Sequence, residues 1–301
     1  MDWGKLWRNR SGLWAWVRVM RLLVATVLLI AMSFFSAARG EERLALVVAN
    51  PGYEGSPAIA NAEPSAELVA TSLRSLGFTV RQVSDGDRAD VAHAMYDFAK
   101  SLADPDAVGI FYYVGHTAQA NDRNYLLTRG SRTDSKEAID QTALPLDLFT
   151  KALEATPTFK VILLDNLDDG DTSTPGVTRG LAAVGPLPNG IVAFSAQPGS
   201  VALNGAGPVT VFADALAAAL ARRGVSIQAM IASVSQGVAD QTLGAQRPWT
   251  GPGLSADFVP TPDNSIAAEP APPEPAGDAT SGCPGSSCSR TGIATDAEWR
   301  Q

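Results

Sequence analysis

Histidine and cysteine are nearly missing from this chain, with two of each in 301 residues. A structural zinc site takes four such ligands, so a His/Cys zinc module is excluded as the basis of the fold. Both cysteines, Cys283 and Cys288, come after residue 260, so residues 41–260 hold neither a thiol nor a disulfide framework. Basic charge is scarce once the first forty residues are passed. The formal net charge is −8. Residues 1–40 alone carry Lys5, Arg8, Arg10, Arg18, Arg21 and Arg39 against Asp2, which leaves the remainder strongly acidic. Nonspecific nucleic-acid binding needs a basic face that displaces counterions, so no nucleic-acid partner is expected. No Gly-x-Gly-x-x-Gly or Walker pattern follows the first apolar run of the body, and no internal repeat is found. No cofactor is expected.

One hydrophobic run has a length that concerns a membrane. Residues 22–35 are free of charge, follow Arg21, and lead into Ser36-Ala37-Ala38-Arg39-Gly40. A basic stretch, an apolar core and small residues in alternate positions describe a secretory signal peptide over residues 1–40. The alternative is an uncleaved anchor through residues 22–38, at the short end of what spans a bilayer core. Either way the body, residues 41–260, is expected outside the cytoplasm, periplasmic or secreted. From residue 261 to 301 the chain turns rich in Pro, Ala, Gly and Ser, with too little apolar surface to offset chain entropy, and reads as a disordered tail. Its two cysteines are spaced to close a small loop in an oxidising compartment.

Within the body, residues 44–49, 108–114, 161–164 and 191–194 are short continuous runs rich in Val and Ile. They read as strands buried on both faces, as in a parallel sheet covered by helices. Between them lie stripes of helical period. Ala66, Val69, Leu73 and Leu76 end at Gly77; Val91, Met95, Phe98 and Leu102 follow cap candidates at 85–87. Residues 209–220 and 227–238 repeat the pattern. Strand and helix alternate, so the expected fold class is α/β, a three-layer α/β/α sandwich on a mostly parallel sheet.

Ligands meet such sheets at the carboxyl ends of the strands. Three places qualify: Asn50-Pro51-Gly52-Tyr53, Gly115-His116-Thr117, and Asp165-Asn166-Leu167 with the acidic residues after it. A caspase-type site pairs a histidine at one strand end with a cysteine about 50 residues on, at the next. His116 precedes position 167 by 51. The body resembles the bacterial caspase-like family (peptidase C14, metacaspase-related) from Arg43 to about Val259. The resemblance is carried by Arg43-Leu44-Ala45-Leu46-Val47-Val48-Ala49-Asn50, Phe111-Tyr112-Tyr113-Val114-Gly115-His116 and Arg123-Asn124-Tyr125-Leu126-Leu127. Arg179-Gly180-Leu181-Ala182 and Gln246-Arg247-Pro248-Trp249 add to it.

The resemblance implies a cysteine nucleophile at the position of Leu167, with His116 as the other half of the dyad. Leucine has no lone pair and no ionisable proton, so it forms no acyl-enzyme. The family's His-Gly is His116-Thr117 here, which puts a β-branched residue where the resemblance implies an oxyanion donor. The family's Asn-Asp-Ala of the first helix corresponds to Pro64-Ser65-Ala66, without the acid. Asp165 matches the position that faces a basic residue of the substrate and is expected to pair with Lys or Arg of a peptide. Its alternative is a solvated loop carboxylate. Asp168, Asp169 and Asp171 do not follow EF-hand spacing, and a metal on His116 with Asp165 or Asp168 is short of ligands. His93 reads as a surface or structural side chain.

The expectation is therefore an exported pseudoprotease that works by binding a peptide or protein. One alternative is an active caspase-like hydrolase with another nucleophile, Thr117 and Ser195 being the nearest hydroxyls. The other is a structural cell-envelope module. The oligomeric state is left open.

Overall fold

The structure, a computed structural model, describes residues 41–53, 58–167, 174–253 and 258–260, with Met20 standing alone before them. The leader, the calcium-loop comparison at 168–171 and the tail with its cysteines lie outside the described residues. In chain order the elements are β1 (Arg43–Ala49), α1 (Ala62–Ser75), β2 (Thr79–Ser84), α2 (Arg88–Ser101), β3 (Val108–Ala120), β4 (Arg123–Leu126), α3 (Lys136–Thr142) and β5 (Leu144–Pro145). They continue with α4 (Leu146–Glu154), β6 (Phe159–Leu167), β7 (Val177–Arg179), β8 (Gly190–Phe194), α5 (Val211–Leu220), α6 (Ile227–Gln241) and β9 (Trp249–Thr250).

The main sheet runs β2-β1-β3-β6-β8-β9. Its pairs are parallel except the last, where β9 lies antiparallel to β8. Side chains alternate between two apolar layers, as the two-residue period of a strand requires. Val47, Ile110, Tyr112, Val161 and Leu163 pack with α1, α5 and α6. Leu46, Val48, Phe111, Tyr113 and Ile162 pack with α2 and α4. With both faces covered, the strands read as unbroken apolar runs, and the three-layer sandwich is what the alternation of elements leads to.

The helices begin and stop for local reasons. Pro64 sits in the first turn of α1, where no intrahelical acceptor waits for its missing N–H. That helix ends at Gly77, whose φ of +82° suits a residue without a Cβ. Asp87 caps α2 through a capping box: its carboxylate accepts the N–H groups of Ala89 and Asp90, and Asp90 returns the bond to the Asp87 N–H. Lys160, buried at the start of β6, donates to the Leu153 and Thr156 carbonyls at 2.8 Å and so caps the end of α4.

Two strands run further than the apolar runs suggest. β3 continues past Val114 because its neighbours change. It pairs in parallel with β1 as far as Val114 and with β6 as far as His116; Thr117 to Ala120 then pair antiparallel with β4, and Ala118 to Ala120 also with β7. The hairpin to β4 turns on Asn121 and Asp122, both left-handed at φ of +51° and +58°, the backbone that matches strand twist in a two-residue turn. β6 likewise extends through Asp165, Asn166 and Leu167. The residues expected just beyond the strand ends are thus inside strands, held by ladder hydrogen bonds.

Candidate functional site

In the ladder between β3 and β6, His116 stands directly opposite Leu167. Leu167 belongs to the layer packed on α1, α5 and α6, and it is 0% exposed. The His116 Nδ1 lies 3.4 Å from the Leu167 carbonyl oxygen, and the residue is 2% exposed. The fifty-odd residues between the two positions are therefore closed by the fold into a side-by-side pair, as the spacing leads one to expect. His116, expected at a strand end where a ligand would meet the sheet, is covered. The Tyr53 ring packs on the imidazole at 4.3 Å between centroids, with a 38° tilt.

The main chain at His116 is held from several sides. Its N–H donates to the Tyr53 hydroxyl at 2.8 Å. Its carbonyl accepts the Leu127 N–H at 3.0 Å and the Tyr113 hydroxyl at 2.7 Å. Gly115 makes this convergence possible. A Cβ there would sit 2.5 Å from the Tyr53 hydroxyl and 2.6 Å from that of Tyr113, closer than real Cβ contacts come. Gly115→Ala is expected to destabilise the fold by about 2 kcal/mol, the usual range for overpacking. Urea unfolding checks it, and a loss under about 0.5 kcal/mol would mean both hydroxyls yield freely.

Asp165 is 0% exposed, so the solvated-carboxylate alternative is wrong. Its Oδ2 accepts the Tyr112 hydroxyl at 3.1 Å and the Thr210 hydroxyl at 2.5 Å. Thr210 is also the N-cap of α5, accepting from Ala213, and its N–H donates to Ser65 Oγ in the first turn of α1. Burial is the dominant influence on Asp165 and pushes its carboxyl up to about 6, against the opposing influence of the neighbouring Thr210, Ser195 and Tyr112 hydroxyls. Burial, and after it the neighbouring Asp165, keep the Tyr112 phenol well above the ordinary tyrosine range, so it stays a donor. The other carboxylate oxygen, Oδ1, has no hydrogen-bond partner among the described residues.

The hydroxyl candidates fare differently. Ser195 is fully buried and engaged with Asn166: its Oγ accepts the Asn166 N–H and donates to Asn166 Oδ1, both at 3.0 Å. It is a link between β6 and the end of β8, and the expectation of a nucleophile there is withdrawn. Thr117 is 3% exposed, and its Oγ1 has no hydrogen-bond partner among the described residues. His93 is exposed and lies 3.3 Å from Asp97, one helical turn on, as a surface side chain. Among the described residues no three His, Cys, Asp or Glu side chains gather where a metal ion could be held.

The segments beside the pair serve as fasteners. Arg123 pairs with Asp147 at 2.7 Å, and the Tyr125 hydroxyl donates to Asp140 at 2.7 Å, which seats β4 against α3 and α4. Gln246 donates to the Ser195 carbonyl at 2.9 Å and accepts the Leu203 N–H at 3.0 Å. Trp249 packs on Phe194 at 4.8 Å. An apolar groove of about 460 Å³ between α2 and α4, lined by Met95, Tyr96, Leu148 and Phe149, takes in neither His116 nor Asp165.

Sequence reasoning gave Tyr53 no role, although its tetrapeptide was marked as a strand end. It gave none to Tyr112 or Asn166, quoted only as members of longer stretches, and did not single out Thr210. No curated protein matches the chain. The caspase domain (Peptidase_C14) matches it over residues 42–259, which takes in β1 through β9 and both members of the His116–Leu167 pair. On that match and this sheet, the chain belongs to the caspase-domain family, peptidase C14.

Proposed function

We propose that the protein is an exported, caspase-like pseudoprotease that binds a peptide or protein segment at the strand ends and does not cleave it. One observation carries the reading: the side chain opposite His116 in the sheet is a fully buried leucine. Acyl transfer of this kind needs a nucleophile within hydrogen-bond reach of a base. Ser195 spends its hydroxyl on Asn166, and both cysteines of the chain come after residue 260. The basic leader and apolar run support export. Asp165, the position that the resemblance assigns to a Lys or Arg of the ligand, is fully covered in this conformation and would receive such a group only once it is uncovered.

Fluorogenic peptides ending in Arg or Lys test the absence of chemistry. The expected result is no turnover above buffer, for the protein and for His116→Ala alike. Turnover that disappears in His116→Ala overturns the reading. The double variant Leu167→Cys with Thr117→Gly serves as the positive control, with a modest thiol-dependent gain expected. Binding is tested by isothermal titration with the same peptides, where heat is expected and Asp165→Ala is expected to remove it. Export is read from the N-terminus of the mature protein recovered outside the cytoplasm.

A further inference from the structure

We propose that Tyr53 is a built-in cover over His116, an autoinhibitory side chain that has to move aside before any ligand reaches the imidazole. Three observations support it. The Tyr53 ring packs on the imidazole at 4.3 Å. Its hydroxyl accepts the His116 main-chain N–H at 2.8 Å, the place that a carbonyl of an extended peptide would take beside a strand. With the ring in place His116 is 2% exposed, while Tyr53 itself is only half-buried, so part of the covering side chain already borders solvent. Gly115 keeps this closed arrangement free of strain, since any side chain there would meet the Tyr53 hydroxyl.

The gate itself is a property of the fold; its consequence for a ligand rests on the peptide-binding reading. A site that is open for only a fraction of the time binds more weakly by that fraction, and removing the closed state restores the difference. Release of the ring gives up the His116 N–H bond, the imidazole contact and the ring's packing against the two neighbouring apolar clusters, so the open state is the minor one.

The chain contains two histidines, which makes the test self-calibrating: His93 has 71% of its side chain exposed, and His116 is covered. In the full-length protein, diethyl pyrocarbonate is expected to modify His93 quickly and His116 slowly, followed by peptide mass spectrometry. Tyr53→Ala is expected to raise the His116 rate at least about 10-fold while His93 stays unchanged, as solvent access to the ring dictates. Tyr53→Phe keeps the ring and is expected to stay within about 3-fold of the parent, since only the hydrogen bond is lost. Should Tyr53→Ala lose its circular-dichroism signature, Tyr53→Leu, which keeps apolar bulk without an aromatic ring, carries the same expectation. A parent His116 as reactive as His93, or a His116 still protected in a folded Tyr53→Ala or Tyr53→Leu, overturns the gate. Titration of an Arg-containing peptide separates the two ideas. Faster modification together with tighter binding supports both. Faster modification with no binding in either protein supports the gate and counts against the peptide reading.

Discussion

Leu167→Ala is expected to lower stability by about 3 kcal/mol and the thermal midpoint by about 9 °C. The side chain is fully buried in the layer that includes Leu163, Ala202 and Phe212. Two features keep that layer from collapsing into the space left behind. Leu167 is fixed in the ladder opposite His116, and on its other side it bridges Ala202, whose N–H donates to the Asn166 carbonyl at 2.9 Å. A cavity that cannot close loses both the transfer free energy and the contacts of its lining. Leu167→Met, which conserves volume, is expected to lose under about 1.5 kcal/mol. Urea and thermal unfolding measure both. A loss below about 1 kcal/mol for the alanine variant would place the side chain in an accessible site and not in the core, and would remove the main support for the pseudoprotease reading.

Asp165→Asn is expected to change how stability depends on pH. The Asp165 carboxyl is pushed up to about 6 in the folded chain, from an ordinary 3.8. A raised carboxyl pKa contributes stability that is fully present below 3.8 and is lost as pH rises through about 6. From this group alone the fold is about 2 kcal/mol less stable at pH 7 than at pH 4. Asparagine has no charge to bury and keeps an oxygen that accepts from Tyr112 and Thr210. The variant is therefore expected to gain on the parent by about 2 kcal/mol between pH 4 and pH 7, with the rise concentrated between the two pKa values. Surface carboxylates such as Asp87 and Asp97, held low by hydrogen bonds, titrate with the opposite sign but are shared by both proteins. They cancel in the difference. Parallel stability curves for the two proteins would mean that the carboxyl is hydrated and that its buried geometry does not hold in solution.

The parts of the molecule legible in sequence were those in which one residue's neighbours along the chain decide the outcome. The apolar runs at β1, β3, β6 and β8, and the stripes of α1, α2, α5 and α6, are of this kind. β2 escaped notice because it is the sheet edge, where Arg81 and Gln82 face water and break the apolar run. α3 and α4, of seven and nine residues, are too short to show several turns of a stripe. At the site, the spacing of His116 and position 167 was readable because both end apolar runs. The burial of Asp165 was not, because its partners Tyr112 and Thr210 come from elements 53 and 45 residues away. Nor was the engagement of Ser195 by Asn166, or the placement of Tyr53 over the imidazole, each a product of tertiary packing that leaves no local pattern.

The bonds that hold the main chain at His116 run from its N–H and its carbonyl to Tyr53, Tyr113 and Leu127. None of these three requires an imidazole. The route of the backbone and the identity of the side chain are thereby decoupled at that position, and a library randomised there would vary ring chemistry on a stationary platform. For an engineer wishing to install a new functional group between two central strands, the main chain at this position is already held from both its N–H and its carbonyl.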